Sequence, residues 1–350
     1  VEGWTLSEDK LTLTKTYTEN TATNGENITV KDLAGNVATI NVKISNIDNT
    51  LPVAKVAYST SEATNKDVLV TINTNKPVQT IEGWTLSENK LTLTKTYTNN
   101  TSTEGENVVI KDLVGNSTTV NVKITNIDKI APTTNVAYSI TELTNQNVVV
   151  AIKANEKIQA VDGWTLSEDK LTLTKTYTNN TQAEGENIVI KDLVGNTTTV
   201  NVKVTNIDKI APTTNVAYSI TELTNRNVVV AIKANEKIQA VEGWTLSEDK
   251  LTLTKTYAEN TATNGENVQV KDLAGNVVTV NVKIVNIDKV APVANVTYPI
   301  TELTNQNVVV TIKASERVQA VEGWKLSEDK LTLTKTYTNN TQAEGENIVI

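Results

Sequence analysis

The sequence has 350 residues with no cysteine, histidine, methionine or phenylalanine, and 32 basic against 40 acidic side chains leave a net charge of -8. Without Cys or His there are no disulfides, thiolate nucleophiles or Cys- or His-ligated zinc, and the commonest general base is missing, so catalytic triads are excluded. An acidic chain without a basic stripe argues against nucleic acid or an anionic membrane as partner, and no stretch approaches the roughly 18 apolar residues of a membrane span.

Internal repetition replaces the domain count that length would suggest. Trp4, Trp84, Trp164, Trp244 and Trp324 are spaced 80 positions apart, and Pro52, Pro132, Pro212 and Pro292 keep the same period. Residues 131–210 and 211–290 differ at 16 of 80 positions, and only Gln146/Arg226 and Asp162/Glu242 precede residue 178. Units of this length can bury a core of their own, so the chain reads as beads on a string. With each unit starting after the linker NID and its two following residues, the copies are 1–50 (partial), 51–130, 131–210, 211–290 and 291–350 (partial). The remainder of 30 residues beyond four periods is expected of a window through a longer array.

Within 131–210 the apolar residues alternate with period two, the pattern of half-buried strands. Val136 and Tyr138 mark strand A. Val148, Val150 and Ile152 mark B, and Ile158 to Val161 form C after an Asn155-Glu156 loop. Asp162-Gly163 offers a tight turn, with one bent strand through Trp164 as the competing reading; Trp164 to Leu166 then make a short D. Ser167 to Lys170 turn the chain into E, Leu171 to Thr178. Strand F carries Ile188 and Ile190, the hairpin KDLVGN follows, and G carries Val200, Val202 and Val204. Seven antiparallel strands put the two termini at opposite ends, as an end-to-end array requires. Gly163, Gly185 and Gly195 all fall at turns, where glycine takes a positive φ most easily.

The recurring frame NIDKIAPTTNVAYS, TELTNQNVVVAIKANE, VDGWTLSEDKLTLTKTYT and GENIVIKDLVGN resembles the bacterial immunoglobulin-like repeats of large cell-surface proteins over the whole chain. The resemblance implies an all-β chain of tandem seven-stranded immunoglobulin-like β-sandwiches and an extracellular, cell-surface location. It implies a non-enzymatic role as stalk, spacer or adhesin shaft. The antibody landmarks are absent: there is no disulfide pair, and no Tyr on strand F for a tyrosine corner.

Several residues stand out against that frame. Asp128 of the linker, Glu156, Asp169 and Asp192 are expected at the end where the preceding copy enters, with Asn155 and Asn196 as neutral oxygens. Calcium takes six to eight such oxygens, so a Ca²⁺ between successive domains is one reading. The other is that Asp and Asn serve their own turns and that Lys129 and Lys157 neutralise the charge. No cofactor is otherwise required. Lys175 shares the phase of Leu171, Leu173 and Tyr177; its stem can lie along apolar surface with the ammonium in water, or, by analogy with pilin-like immunoglobulin folds, it joins an Asn in an isopeptide bond. The five tryptophans read as core aromatics, with exposed sugar-stacking rings as the alternative.

The expected partners are neighbouring domains of the same chain and copies of itself in a filament. The variable 178–184 segment, TNNTQAE against AENTATN, leaves open a multivalent adhesin array that binds glycans or surface proteins. A catalytic carboxylate pair such as Glu184 and Glu186, copied into each unit without a cleft, is not expected.

Overall fold

The computed structural model describes residues 1–342 and 344–350. Among them every regular element is a β-strand, and no helix is long and apolar enough to cross a membrane.

Residues 51–130 show the plan. Strands Ala54–Tyr58, Val68–Thr74, Thr92–Tyr97 and Thr85–Leu86 form a four-stranded antiparallel sheet in that spatial order. Glu106–Lys111 and Ser117–Val122 form a separate two-stranded hairpin. The register is set by burial: Ile72 stands opposite Val56 on one side and Leu93 on the other. Val68, Val70 and Ile72 are fully buried, while Leu69 and Asn73 on the opposite face are exposed and Thr71 is half-buried. A one-residue slip would exchange those two sets, which fixes the pairing. The four-stranded sheet and the hairpin share one core, with Val70, Ile72, Leu93 and Trp84 from the first packed with Val108, Ile110 and Val122 from the second. Each such aliphatic side chain contributes about 1.5–3 kcal/mol on burial. Residues 211–290 repeat the plan, with Val230, Ile232, Trp244 and Leu253 facing Val268, Val270 and Val282.

Predicted strand C is not a ladder strand. Its part is a single antiparallel bridge, Ile158 with Asp192, repeated at Val78 with Asp112 and Ile238 with Asp272. The reason is divided loyalty: Ile158 N donates to Lys170 O at 2.9 Å, whereas Gln159 N donates to Lys191 O at 2.8 Å, on the hairpin. Consecutive amides thus serve two different sheets, and the turn closed by Trp164 N to Val161 O at 3.0 Å ends the segment at once. Each complete copy therefore has six ladder strands, in sheets of four and two.

The chain divides into two compact units, one made of 1–139 and 148–205, the other of 140–147 and 206–350. The boundaries do not follow the repeat period. Ile140–Asn147 belongs to the second unit because Thr144 N donates to Asn206 O, and Asp208 N to Thr144 O, each at 2.8 Å. In the first unit the equivalent bonds join Thr64 to Asn126 and Asp128.

Residues 1–50 repeat only positions 81–130 and contain no counterpart of Val68–Thr74, the strand that covers the core face in the next copy. An open apolar groove of ≈ 1220 Å³ lies there, lined by residues that include Trp4, Leu6, Ile28 and Ile40.

Candidate inter-repeat site

The KDLVGN hairpin is built around one buried carboxylate. Asp192 is 1% exposed. Its Oδ1 accepts from the backbone N–H of Val194 at 2.9 Å, Gly195 at 2.6 Å and Asn196 at 2.8 Å, and its Oδ2 accepts from Asn196 Nδ2 at 2.7 Å. Such a nest of donors satisfies a charge that burial would otherwise penalise. Asn196 Nδ2 also reaches the preceding linker, at 3.0 Å from Asp128 O and 3.2 Å from Ile130 O. Asn116 does the same to Asp48 O at 2.8 Å, and Asn276 to Asp208 O at 3.0 Å. Every complete copy thus holds the linker that enters it through the amide of the same asparagine.

Of the predicted oxygen ligands, the structure brings together Asp128, Glu156 and Asp192, with ligand atoms all within 4.8 Å of one another. Asp208, Glu236 and Asp272 form the same triad in the second unit. Burial, then the charges of Asp128 and Asp192, push the Glu156 carboxyl above its ordinary value, and Glu236 is raised by the same causes from Asp208 and Asp272. Asp169 stands outside the triad and closes its own turn, its Oδ1 accepting from Ser167 Oγ at 2.5 Å and Leu171 N at 3.0 Å. Asn196 enters the site as an amide donor that ties the hairpin to the linker. Lys129 is drawn away to Asp67, at 2.5 Å.

The junction at the start of 51–130 is different. Lys76 occupies the place of Glu156, and its ammonium lies 2.9 Å from both Asp48 Oδ2 and Asp112 Oδ2. Thr50 adds its carbonyl oxygen at 2.5 Å and its hydroxyl at 2.9 Å. Hydrogen bonds from the Thr50 hydroxyl, Lys76 and the Thr50 backbone lower Asp48 to about 2. At Asp112 burial opposes ionisation, but Lys76, the Asn116 side chain and the turn N–H groups outweigh it and hold the carboxyl well below its ordinary range.

A second cluster recurs in each copy. Lys175 Nζ donates to both oxygens of Glu186, at 2.8 and 2.9 Å, and Tyr177 Oη donates to Glu186 Oε2 at 2.6 Å. The ammonium also stands 4.8 Å from the Tyr177 ring centroid and 5.7 Å from that of Trp164, within cation–π range. Its hydrogen bonds go to Glu186, and the side chain is half-buried at 27% exposure. Trp84, Trp164, Trp244 and Trp324 are buried, and Trp4, beside the open groove, is half-buried. Trp164 meets Tyr177 edge to face with centroids 6.4 Å apart.

Lys76 and Thr50 escaped the sequence reading, although the signal was present: aligned on the 80-residue period, 76 is Lys where 156, 236 and 316 are Glu. The Glu186 partner of Lys175 was also legible only as part of a carboxylate pair with Glu184, which the hairpin separates in role. No protein-family model matches this sequence, and a search of curated proteins finds no match either.

Proposed function

We propose that the chain is a non-enzymatic structural segment, a stalk or filament-forming part of an extracellular bacterial surface protein, built from tandem immunoglobulin-like β-sandwiches. The observation that carries this reading is the repeated grip of Asn116, Asn196 and Asn276 on the linker carbonyls of Asp48, Asp128 and Asp208. A near-identical unit joined to its predecessor by the same bond makes length the property that repetition multiplies. The sequence resemblance supports the immunoglobulin-like assignment, with the Ile158 segment as a rudimentary third strand bridging the two sheets. Fold analogy supplies a class of role, and the absence of His and Cys chemistry agrees with it.

Small-angle scattering on the 350-residue chain tests this. At about 3.4 Å per strand residue, an end-to-end arrangement spans on the order of 150 Å; a compact globule would overturn the proposal. One observation favours a multivalent adhesin: the variable segment after Tyr177 is exposed at Thr178, Asn179 and Asn180. Tandem weak sites there would gain avidity from display, and a blank glycan array with no binding to surface proteins would dispose of that second reading.

A further inference from the structure

The hairpin tips take two forms. At Gly35 and Gly115 the N–H donates to the backbone carbonyl of Asp32 or Asp112, at 3.1 and 3.3 Å. At Gly195 and Gly275 it donates instead to the side chain, to Asp192 Oδ1 at 2.6 Å and Asp272 Oδ1 at 2.7 Å. Lys76 beside Asp112 is not the cause, because the 1–50 copy shows the first form and has no residue at that position. The copy that precedes each tip separates the two pairs. Asn65 and Asn145 lie in the loop between strands A and B, and their Nδ2 atoms stand 3.5 and 3.6 Å from where a Cβ would be on Gly195 and Gly275 of the following copy. Nothing lies within 4 Å of that place at Gly35 or Gly115. Residues 1–50 contain neither strand A nor strand B, so no such loop precedes the tip of 51–130.

Exposure follows the same division. Gly195 and Gly275 are half-buried and Gly35 and Gly115 exposed; on the loop side Asn65 and Asn145 are half-buried and Asn225 and Asn305 exposed. Leu143 is 45% exposed but Leu223 77%, and the tip that would meet Leu223 falls at 353–355, beyond this sequence. We infer that successive copies dock through a second surface besides the linker: the A–B loop of one copy, TELTN at 141–145, receives the hairpin tip of the next, and the tip residue, valine or alanine, sets how closely. Asn145 N donates to Ala274 O at 3.1 Å, and Ala274 is only 9% exposed, against 64% for Val114 at a tip that no loop meets. No such backbone bond joins Asn65 to Val194 among the described residues. Valine there adds two methyl groups where the loop would lie, and crowding holds it off. A single tether leaves neighbouring domains free to swing, whereas a second contact away from it restrains them. The partner that fits Leu223–Asn225 is thus the tip of another copy of this same unit, and an alanine tip makes the stiffer joint.

The inference goes beyond the stalk reading, because it concerns how neighbouring copies touch and not what the array is for. Hydrogen–deuterium exchange of the full chain, read by peptide mass, tests it. Peptides over 139–147, 219–227 and 299–307 are told apart by Gln146/Arg226 and Ser139/Pro299. The Asn145 amide should exchange about fivefold or more slowly than that of Asn225, the worth of one hydrogen bond. Ala274→Val should abolish the difference and leave 219–227 unchanged. The variant is expected to fold, since 114 and 194 already carry valine, and circular dichroism checks this. Equal exchange at Asn145 and Asn225 in the parent chain, or a difference that survives Ala274→Val, would overturn the proposal, whereas a scattering curve from a globule would overturn only the stalk.

Discussion

Lys175 places its ammonium 2.8 Å from Glu186 Oε1, joining the four-stranded sheet to the two-stranded hairpin of the same copy. The pair recurs as Lys15–Glu26, Lys95–Glu106, Lys255–Glu266 and Lys335–Glu346, at 2.7 to 3.0 Å. A lysine on the inward phase of a strand is tolerated because the facing sheet supplies a carboxylate and two aromatic rings supply a polarisable wall.

Glu186→Gln removes the charge and leaves the half-buried ammonium with a weaker acceptor. Made at Glu106, Glu186 and Glu266, it should cost about 0.5–1 kcal/mol per copy, read as a lower thermal midpoint. Acid should mimic it. Lys175 first, then Tyr177, hold the Glu186 carboxyl below its ordinary 4.5, so its contribution is complete above that pH and is lost as pH falls through the lowered value. The midpoint of the Gln variant should therefore fall less steeply below about pH 4.5; parallel slopes would refute the assignment.

Alkali should unfold the same region through its tyrosines. Burial, and next the hydrogen bond to Glu106, Glu186 or Glu266, push the hydroxyls of Tyr97, Tyr177 and Tyr257 up from 10.0. A raised value means that the stabilisation is intact below about pH 10 and is lost above it, where the unfolded chain ionises first. Tyrosinate absorbance for this group should rise together with loss of the β-sheet circular dichroism; ionisation that completes while the sheet signal is intact would contradict the prediction.

Two turn glycines should respond unequally to alanine. At Gly185, with φ +80, an added Cβ would lie 2.6 Å from Asn201 Oδ1 and 2.8 Å from the Val202 carbonyl. That carbonyl lies on the backbone of Thr197–Val202, which the hairpin ladder fixes. Gly163 has φ +74 but open space around it. Gly163→Ala should cost about 1 kcal/mol, the price of the left-handed backbone alone, and Gly185→Ala more than about 2 kcal/mol. Denaturant midpoints of the two variants compared with the parent chain decide it.

Lys170 holds a left-handed conformation at φ 59, as do Lys10, Lys90, Lys250 and Lys330. It closes the turn whose Lys170 N donates to Ser167 O at 3.0 Å. Glycine adopts this backbone without a Cβ penalty, so Lys170→Gly should stabilise by about 0.5–1 kcal/mol despite a more flexible unfolded chain. A lowered thermal midpoint would show that the lysine side chain contributes more than its backbone strain costs.

Much of this was legible because strands with one buried face announce themselves. Val148, Val150 and Ile152 alternate with exposed or half-buried neighbours, as the period-two pattern requires, and the glycines at 163, 185 and 195 all take positive φ. Lys170 was not legible: nothing local marks a lysine as the left-handed residue where glycine would be the ordinary choice. The acidic site was half legible. Asp128, Glu156 and Asp192 converge because linker, loop and hairpin meet, while Asp169 satisfies Ser167 and Leu171 within its own turn.

The sequence by itself determined the 80-residue period, the positions of the six ladder strands and the inward phase of Lys175, because these depend on short-range alternation and on simple recurrence. The tertiary structure alone decided how strand C divides its amides between two sheets, which glutamate receives Lys175, and that Lys76 lies between Asp48 and Asp112. Those outcomes depend on contacts across 11 to 36 residues, where pairing is selected by how whole sheets pack, and no local pattern encodes that choice.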